Sequence, residues 1–226
     1  MSEVAEITKK SEPLFSKKNR KLITDPLDDH NPITVQVLGI CSALAITVQV
    51  KQAVVMSISV LFVMIMGNFL ISAMRNSIPD RIRIIVQLVV VASLVILVDQ
   101  TLKAFVYDVS KALSVFVGLI ITNCIIMGRL EAFALGNKPG PSVLDAIGNA
   151  MGYAWILIAV SVVREILGSG KLMGFELFGN ASEMTGLYGM GFMNNNMMIL
   201  PPMALVVVGI IIWIQRSRNT KLIEEN

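Results

Sequence analysis

The chain of 226 residues is 54% hydrophobic and 15% charged, with mean hydropathy +0.71, a balance that excludes an ordinary soluble domain and points to lipid as the solvent. Its formal charge of +3 is too small to argue for a nucleic-acid partner. Two cysteines and a single histidine, His30, form no CxxC or HxxxH pattern, so a metal site on this chain alone would be incomplete, and a structural disulfide framework is not expected.

Residues 1–32 carry six acids and six bases without the apolar core or cleavage site of a secretory signal, and are expected as a polar cytoplasmic tail that stays attached. Six apolar runs follow, at 33–50, 53–74, 84–98, 112–127, 143–167 and 197–214, each near the length of a bilayer crossing. The first holds Cys41 in VQVLGICSALA, close to Asn31, Pro32, Gln36 and Gly39, and the second holds Gly67-Asn68. The third ends at Asp99, the expected headgroup boundary. The fourth holds Cys124 in VGLIITNCIIMG; bringing that cysteine to mid-depth requires the segment to run on through Arg129 and Glu131, broken at Gly128, with its charges sheltered by protein.

The fifth run opens on Asp145 and Gly148-Asn149 and closes on Arg164-Glu165, expected as a local pair at the membrane edge. Gly168-Ser169-Gly170 lacks the context of a phosphate loop and reads as a turn into a long outward loop over 168–196, rich in Gly and Asn. The methionines of MNNNMM, residues 193–198, read as helix padding rather than a copper site. The last run leads into a cytoplasmic tail over 215–226.

On this six-span scheme fourteen of the nineteen Lys and Arg residues fall on one side, which puts both termini in the cytoplasm. A duplication is also visible. Cys41 and Cys124 stand 83 residues apart; Gly67-Asn68 and Gly148-Asn149 follow them, and fifteen residues after each Asn comes an arginine, Arg83 and Arg164. A three-span half repeated once reverses its own orientation. The expected fold is therefore an all-α integral membrane protein of six transmembrane helices in two inverted three-helix repeats, 33–107 and 108–214, with broken or short first and fourth helices.

Short, Gly-broken segments at matching places point to a site at the repeat interface, and both carry the cysteines. A buried cysteine is usually only a small apolar residue. Iron–sulfur clusters normally need four thiolates, so two on one chain imply two more from a partner. The residues leave both open: an intersubunit cluster or a redox-inert pair. Asp145, at the head of its span, marks an ion path or merely complements the helix dipole. Nothing resembles a dinucleotide fingerprint.

The segments NPITVQVLGICSALA, RNSIPDRIRIIVQLVVVASLVILVDQTLKAF, LSVFVGLIITNCIIMGRLEAFA, and DAIGNAMGY followed by REILGSGKL closely resemble the D-type subunit family of the sodium-translocating NADH:quinone oxidoreductase, over about residues 30–175. A sister subunit of the Rnf electron-transport complex, a ferredoxin:NAD oxidoreductase, shares the TNCI and REILG motifs and stands as the alternative, ahead of an inverted-repeat permease. The resemblance implies a bacterial inner-membrane subunit without a complete active site of its own. It would be paired with a homologous, oppositely oriented E-type subunit in a six-subunit assembly embedded in lipid.

On that resemblance Cys41 and Cys124 are metal and cofactor ligands, supplying half of a [2Fe–2S] cluster buried between the two subunits. The cluster relays electrons across the membrane, while NADH, FAD, FMN, riboflavin and quinone sit on other subunits, and downhill transfer drives sodium out of the cell. Asp145 is the candidate for the ion path.

Overall fold

A computed structural model describes residues 23–27, 30–79, 81–105, 118–169, 171–172, 175–176 and 196–218. The expected boundary at 107/108 and most of the outward loop lie outside the described residues.

Among the described residues three helices are long and apolar enough to cross a membrane: α2 (Val50–Met74), α3 (Arg83–Phe105) and α5 (Pro139–Ser169). At about 1.5 Å per residue each exceeds a hydrocarbon core roughly 30 Å thick. The other helical pieces are α1 (Ile40–Ile46), α4 (Cys124–Arg129), which runs into a π-helical turn at Leu130–Ala134, and α6 (Pro201–Arg218). A two-residue antiparallel ladder, β1 (Lys171–Leu172) with β2 (Phe175–Glu176), lies in the expected outward loop and is the one exception to the all-α expectation among the described residues.

The spine is the antiparallel pair of α2 and α5. Near one end Asn68 Nδ2 donates to the Ser142 carbonyl at 3.2 Å and Ser72 Oγ to that of Asn137 at 2.6 Å. At the other end the Val50 N–H donates to Glu165 Oε2 at 2.5 Å. Buried Ala53, Ser57, Ala146 and Ala150 let the two backbones approach, as small residues do where lipid offers no hydrophobic drive between helices. By contrast α3 turns Ile84, Ile85, Val89, Ile96 and Leu97 outward, the surface expected toward lipid or neighbouring subunits.

Several boundaries differ from the sequence expectation. The third run was expected to end by Asp99, but α3 continues to Phe105, and Asp99 is held one turn on by Lys103 at 2.5 Å. The last run begins as a 3-10 turn at Asn196–Ile199, and α6 starts only at Pro201, where proline at a first helical position loses no hydrogen bond. The described end of the expected tail is packed protein: Pro26, Asn31 and Pro32 are buried. Asn31 donates from Nδ2 to the Gly152 carbonyl at 3.1 Å and accepts the Ile33 N–H at 3.0 Å. The Pro26 carbonyl lies where a Cβ on Gly152 would stand, so only glycine admits this crossing.

The break expected at Gly128 is displaced. Gly128 sits within α4, where it makes room for Leu38. Residues 118–121 are helical, and the chain breaks at Thr122-Asn123. There Asn123 adopts an extended backbone and its Oδ1 accepts the Ile125 N–H at 3.2 Å, restarting the helix as an N-cap. In the first segment the corresponding break is made by two left-handed residues, Val37 at φ 57° and Gly39 at φ 80°, immediately before α1.

Candidate functional site

The half-helices α1 and α4 start side by side and run apart. Beyond α1, Thr47 Oγ1 accepts a bond of 2.6 Å from Arg164, near the end of the spine where Glu165 meets Val50. Beyond α4, Glu131 meets Arg83 at 2.6 Å and Gln87 at 2.9 Å, at the opposite end. The positive ends of both helices therefore converge between the two faces of the protein. Their depth is marked by Tyr153, the fifteenth residue of the 31-residue α5.

Cys41 is the second residue of α1 and Cys124 the first of α4. The structure brings them together as neighbours whose thiols interact electrostatically. Both are unpaired and exposed at the chain's surface. Behind them stands a small polar wall. Tyr153, fully buried, donates its hydroxyl to Ser42 Oγ at 2.7 Å, and Ser42 in turn donates to the Gly39 carbonyl at 2.7 Å. Asn123 lies beside the phenol.

Gly39 is required twice over. Its φ of 80° is one that side chains rarely adopt, and a Cβ there would stand 3.1 Å from Tyr153 Cε2.

Two thiols at one point are soft ligands suited to zinc, copper(I) or iron–sulfur centres. Among the described residues no group of three or more His, Cys, Asp or Glu side chains converges. Two thiols alone fall short of the four ligands an iron–sulfur centre normally takes, and the exposure of both sulfurs leaves one side of the pair open.

Asp145 does not join the cysteines. Its carboxylate is 2% exposed and is gripped by Arg129, through Nη2 and through Nε at 3.0 Å, with Asn149 Nδ2 donating at 3.1 Å. Arg129 also lies over the Phe133 ring, 5.9 Å from its centroid. The acid is thus neutralised by a partner from α4, which is how a charge survives at that depth.

The expected Arg164-Glu165 pair is corrected as well. Arg164 reaches Thr47 and the carbonyls of Met198, Ile199 and Leu200, while Glu165 caps α2, whose own cap residue Gln49 makes no side-chain bond. Adjacent helical residues point about 100° apart, so each serves a different neighbour. Asn123 was legible as a polar residue of the short fourth segment, whereas Tyr153 carries no sequence signal beyond its place in AMGY. Arg129 was legible as a charge needing shelter, but not as the partner of Asp145.

A family pattern described as "Rnf-Nqr subunit, membrane protein" matches residues 19–212. The chain belongs to the Rnf-Nqr family of membrane subunits. Relatives within it include the D subunit of the Na(+)-translocating NADH-quinone reductase of Photobacterium profundum, 51% identical over 198 residues, which is 88% of this chain and 92% of that protein. The D subunits of the same reductase from Aeromonas hydrophila and Aeromonas salmonicida are each 51% identical over 205 residues, 91% of this chain and 95% of theirs. The Rnf-Nqr match takes in both cysteine segments, α5 and the apolar part of α6, and so extends past the 30–175 stretch that carried the resemblance.

Proposed function

We propose that this chain is the subunit of a sodium-pumping NADH:quinone reductase that passes electrons across the bacterial inner membrane. In this reading Cys41 and Cys124 supply two of the four thiolates of a [2Fe–2S] cluster, and a homologous, inverted E-type subunit supplies the other two. The observation that carries it is the paired, exposed thiols at the mid-depth meeting of two helix starts. Relatives named as the D subunit of the sodium-translocating reductase, at 51% identity over about nine-tenths of the chain, favour this complex over the Rnf alternative.

The donor chemistry fits. Thiolates in hydrocarbon are costly unless a metal neutralises them, and a cluster bearing net negative charge gains from two converging helix N-termini. When bound, such a centre supplies one-electron transfer at a potential set by burial and hydrogen bonding. The chain's own contribution is geometric: α1 and α4 hold the thiols in register, Tyr153 and Ser42 fix the turn at Gly39, and the surrounding helices keep water and lipid from the rear.

An inverted six-helix repeat is supported by reciprocal contacts. Arg83, fifteen residues after Asn68, reaches Glu131 beyond the second cysteine. Arg164, fifteen after Asn149, reaches Thr47 beyond the first. Each repeat's arginine clasps the other repeat's short segment just past its half-helix, as a two-fold axis in the membrane plane requires. Arg75, Arg83, Lys138, Arg216 and Arg218 gather toward one end of this arrangement, which the positive-inside rule assigns to the cytoplasm.

NADH, FAD, FMN, riboflavin and quinone belong on the remaining subunits of the six. A sodium path past Asp145 requires the cation to displace Arg129, since the guanidinium occupies the carboxylate.

The test is iron and acid-labile sulfide analysis with electron paramagnetic resonance on the purified complex. Cys41→Ala and Cys124→Ala are each expected to abolish the cluster signal and quinone reduction together. Retention of both in either variant overturns the ligand assignment, and normal assembly and turnover in both would leave only a scaffold role.

A further inference from the structure

Tryptophan in a membrane protein favours the headgroup level, where its ring meets acyl chains and its N–H meets water. Trp213, beside the basic end of α6 at Arg216 and Arg218, follows that rule. Trp155 does not. It is the seventeenth residue of the 31-residue α5, midway between Asp145 and Glu165, and so stands roughly 15 Å from each at 1.5 Å per residue. Yet 66% of it is exposed, and among the described residues its indole N–H meets no acceptor. An unmet donor at the centre of a bilayer is costly, because neither water nor lipid tails can satisfy it there.

Beside Trp155 lies a groove between the two spine helices. Ser57, Ile58 and Leu61 of α2 and Ala150, Met151 and Ala154 of α5 line about 400 Å³ of empty space. Met151, one turn before Trp155, shares its face of the helix; Met151 and, across the groove, Ile58 are exposed. Ser57, Ala150 and Ala154 are the small residues that let a transmembrane helix approach closely. Tyr153 points to Ser42 and the thiol wall, and two residues turn a helix by about 200°. Trp155 therefore faces away from Cys41 and Cys124.

We propose that Trp155 and this groove form a second interface, on the side of α5 turned from the thiols, occupied by a transmembrane helix of another subunit that offers the indole a hydrogen-bond acceptor at mid-depth. An acyl chain could fill the groove but brings no acceptor to that level, whereas a helix can present a hydroxyl or amide oxygen there. The interface requires no cluster, only the depth and exposure of Trp155.

The experiment uses the whole purified complex with a photoreactive benzoyl-phenylalanine at Met151, which leaves Trp155 in place. Irradiation is expected to give one predominant adduct, with a transmembrane peptide of another subunit, identified by mass spectrometry. Trp155→Phe keeps the ring and removes the N–H; it is expected to weaken retention of that subunit on dilution in detergent about fivefold, the size of one neutral hydrogen bond. Trp155→Leu should weaken it further. A tryptophan facing lipid gives the opposite sign, since removing an unmet donor from hydrocarbon leaves assembly unchanged or improves it. An adduct with lipid, with a segment of this chain or with a second copy of it overturns the proposal, as does the absence of any adduct or full retention of the subunit in Trp155→Phe and Trp155→Leu alike.

Discussion

Gly39 cannot gain a side chain without moving Tyr153. Its left-handed backbone costs a non-glycine residue about 1–2 kcal/mol, and the crowding against the phenol ring adds to that. Gly39→Ala is therefore expected to lower the thermal midpoint of the complex and to reduce its iron content, both read on the same preparation; a stable, cluster-replete variant would show that the turn tolerates what its geometry forbids. Tyr153→Phe asks less. It keeps the packing and removes one neutral hydrogen bond, to Ser42, worth about 0.5–1.5 kcal/mol, so assembly should survive with a modestly lower midpoint.

The ion pair makes a sharper case at this scale. Removing one member of a buried pair leaves an uncompensated charge at a cost of about 3–5 kcal/mol. Arg129→Ala should accordingly destabilise the complex more than Arg129→Ala combined with Asp145→Asn, which removes both charges. The double-mutant comparison checks this by thermal midpoint. Should Asp145→Asn alone leave the sodium dependence of turnover unaltered, the acid is a structural partner of Arg129 and not a waypoint for the ion.

Elements were legible to the extent that length and hydropathy decide them. The runs at 53–74, 84–98 and 143–167 became α2, α3 and α5, each longer than expected because caps and polar ends extended them: Glu165 at Val50, Lys103 at Asp99, Pro139 ahead of Asp145. The two short segments read correctly as interrupted, and the cysteines as their shared content. Their break points did not, because glycine is only one way to stop a helix. Gly128 continues one, whereas Asn123 restarts one by lending its side chain to the backbone. Pairings between distant segments, such as Arg129 with Asp145 or Tyr153 with Ser42, depend on three-dimensional register that no local pattern encodes.

The cap of α2 yields a prediction of its own. Gln49 offers that helix no side-chain bond, and Glu165 meets the first N–H from across the spine. A carboxylate there serves as both cap and complement to the dipole. Glu165→Ala is expected to cost about 0.5–2 kcal/mol, with Glu165→Gln recovering part of it, measured as thermal midpoints of the purified complex.

At the scale of the whole molecule the unusual feature is that the most reactive side chains lie open at the surface. A protein that spans lipid has every reason to bury thiols among its own helices, yet Cys41 and Cys124 both reach its surface while Tyr153, Ser42 and Asn123 behind them are sealed. Burial on one side and openness on the other describe a half-site. In the proposed reading its closure comes from another chain, and the closure has a chemical readout. When the chain is expressed in membranes without its homologous partner, the two sulfurs should react with a membrane-permeant dithiol reagent that bridges neighbouring thiols. In the complete complex they should be protected. Either single cysteine variant should lose the bridged product while retaining ordinary alkylation of the thiol that remains, since bridging needs both sulfurs at one place. Equal reactivity with and without the partner, measured by mass spectrometry of the modified peptides, would mean that the exposed face meets lipid in the assembled machine, and that no other protein completes what these two helix starts begin.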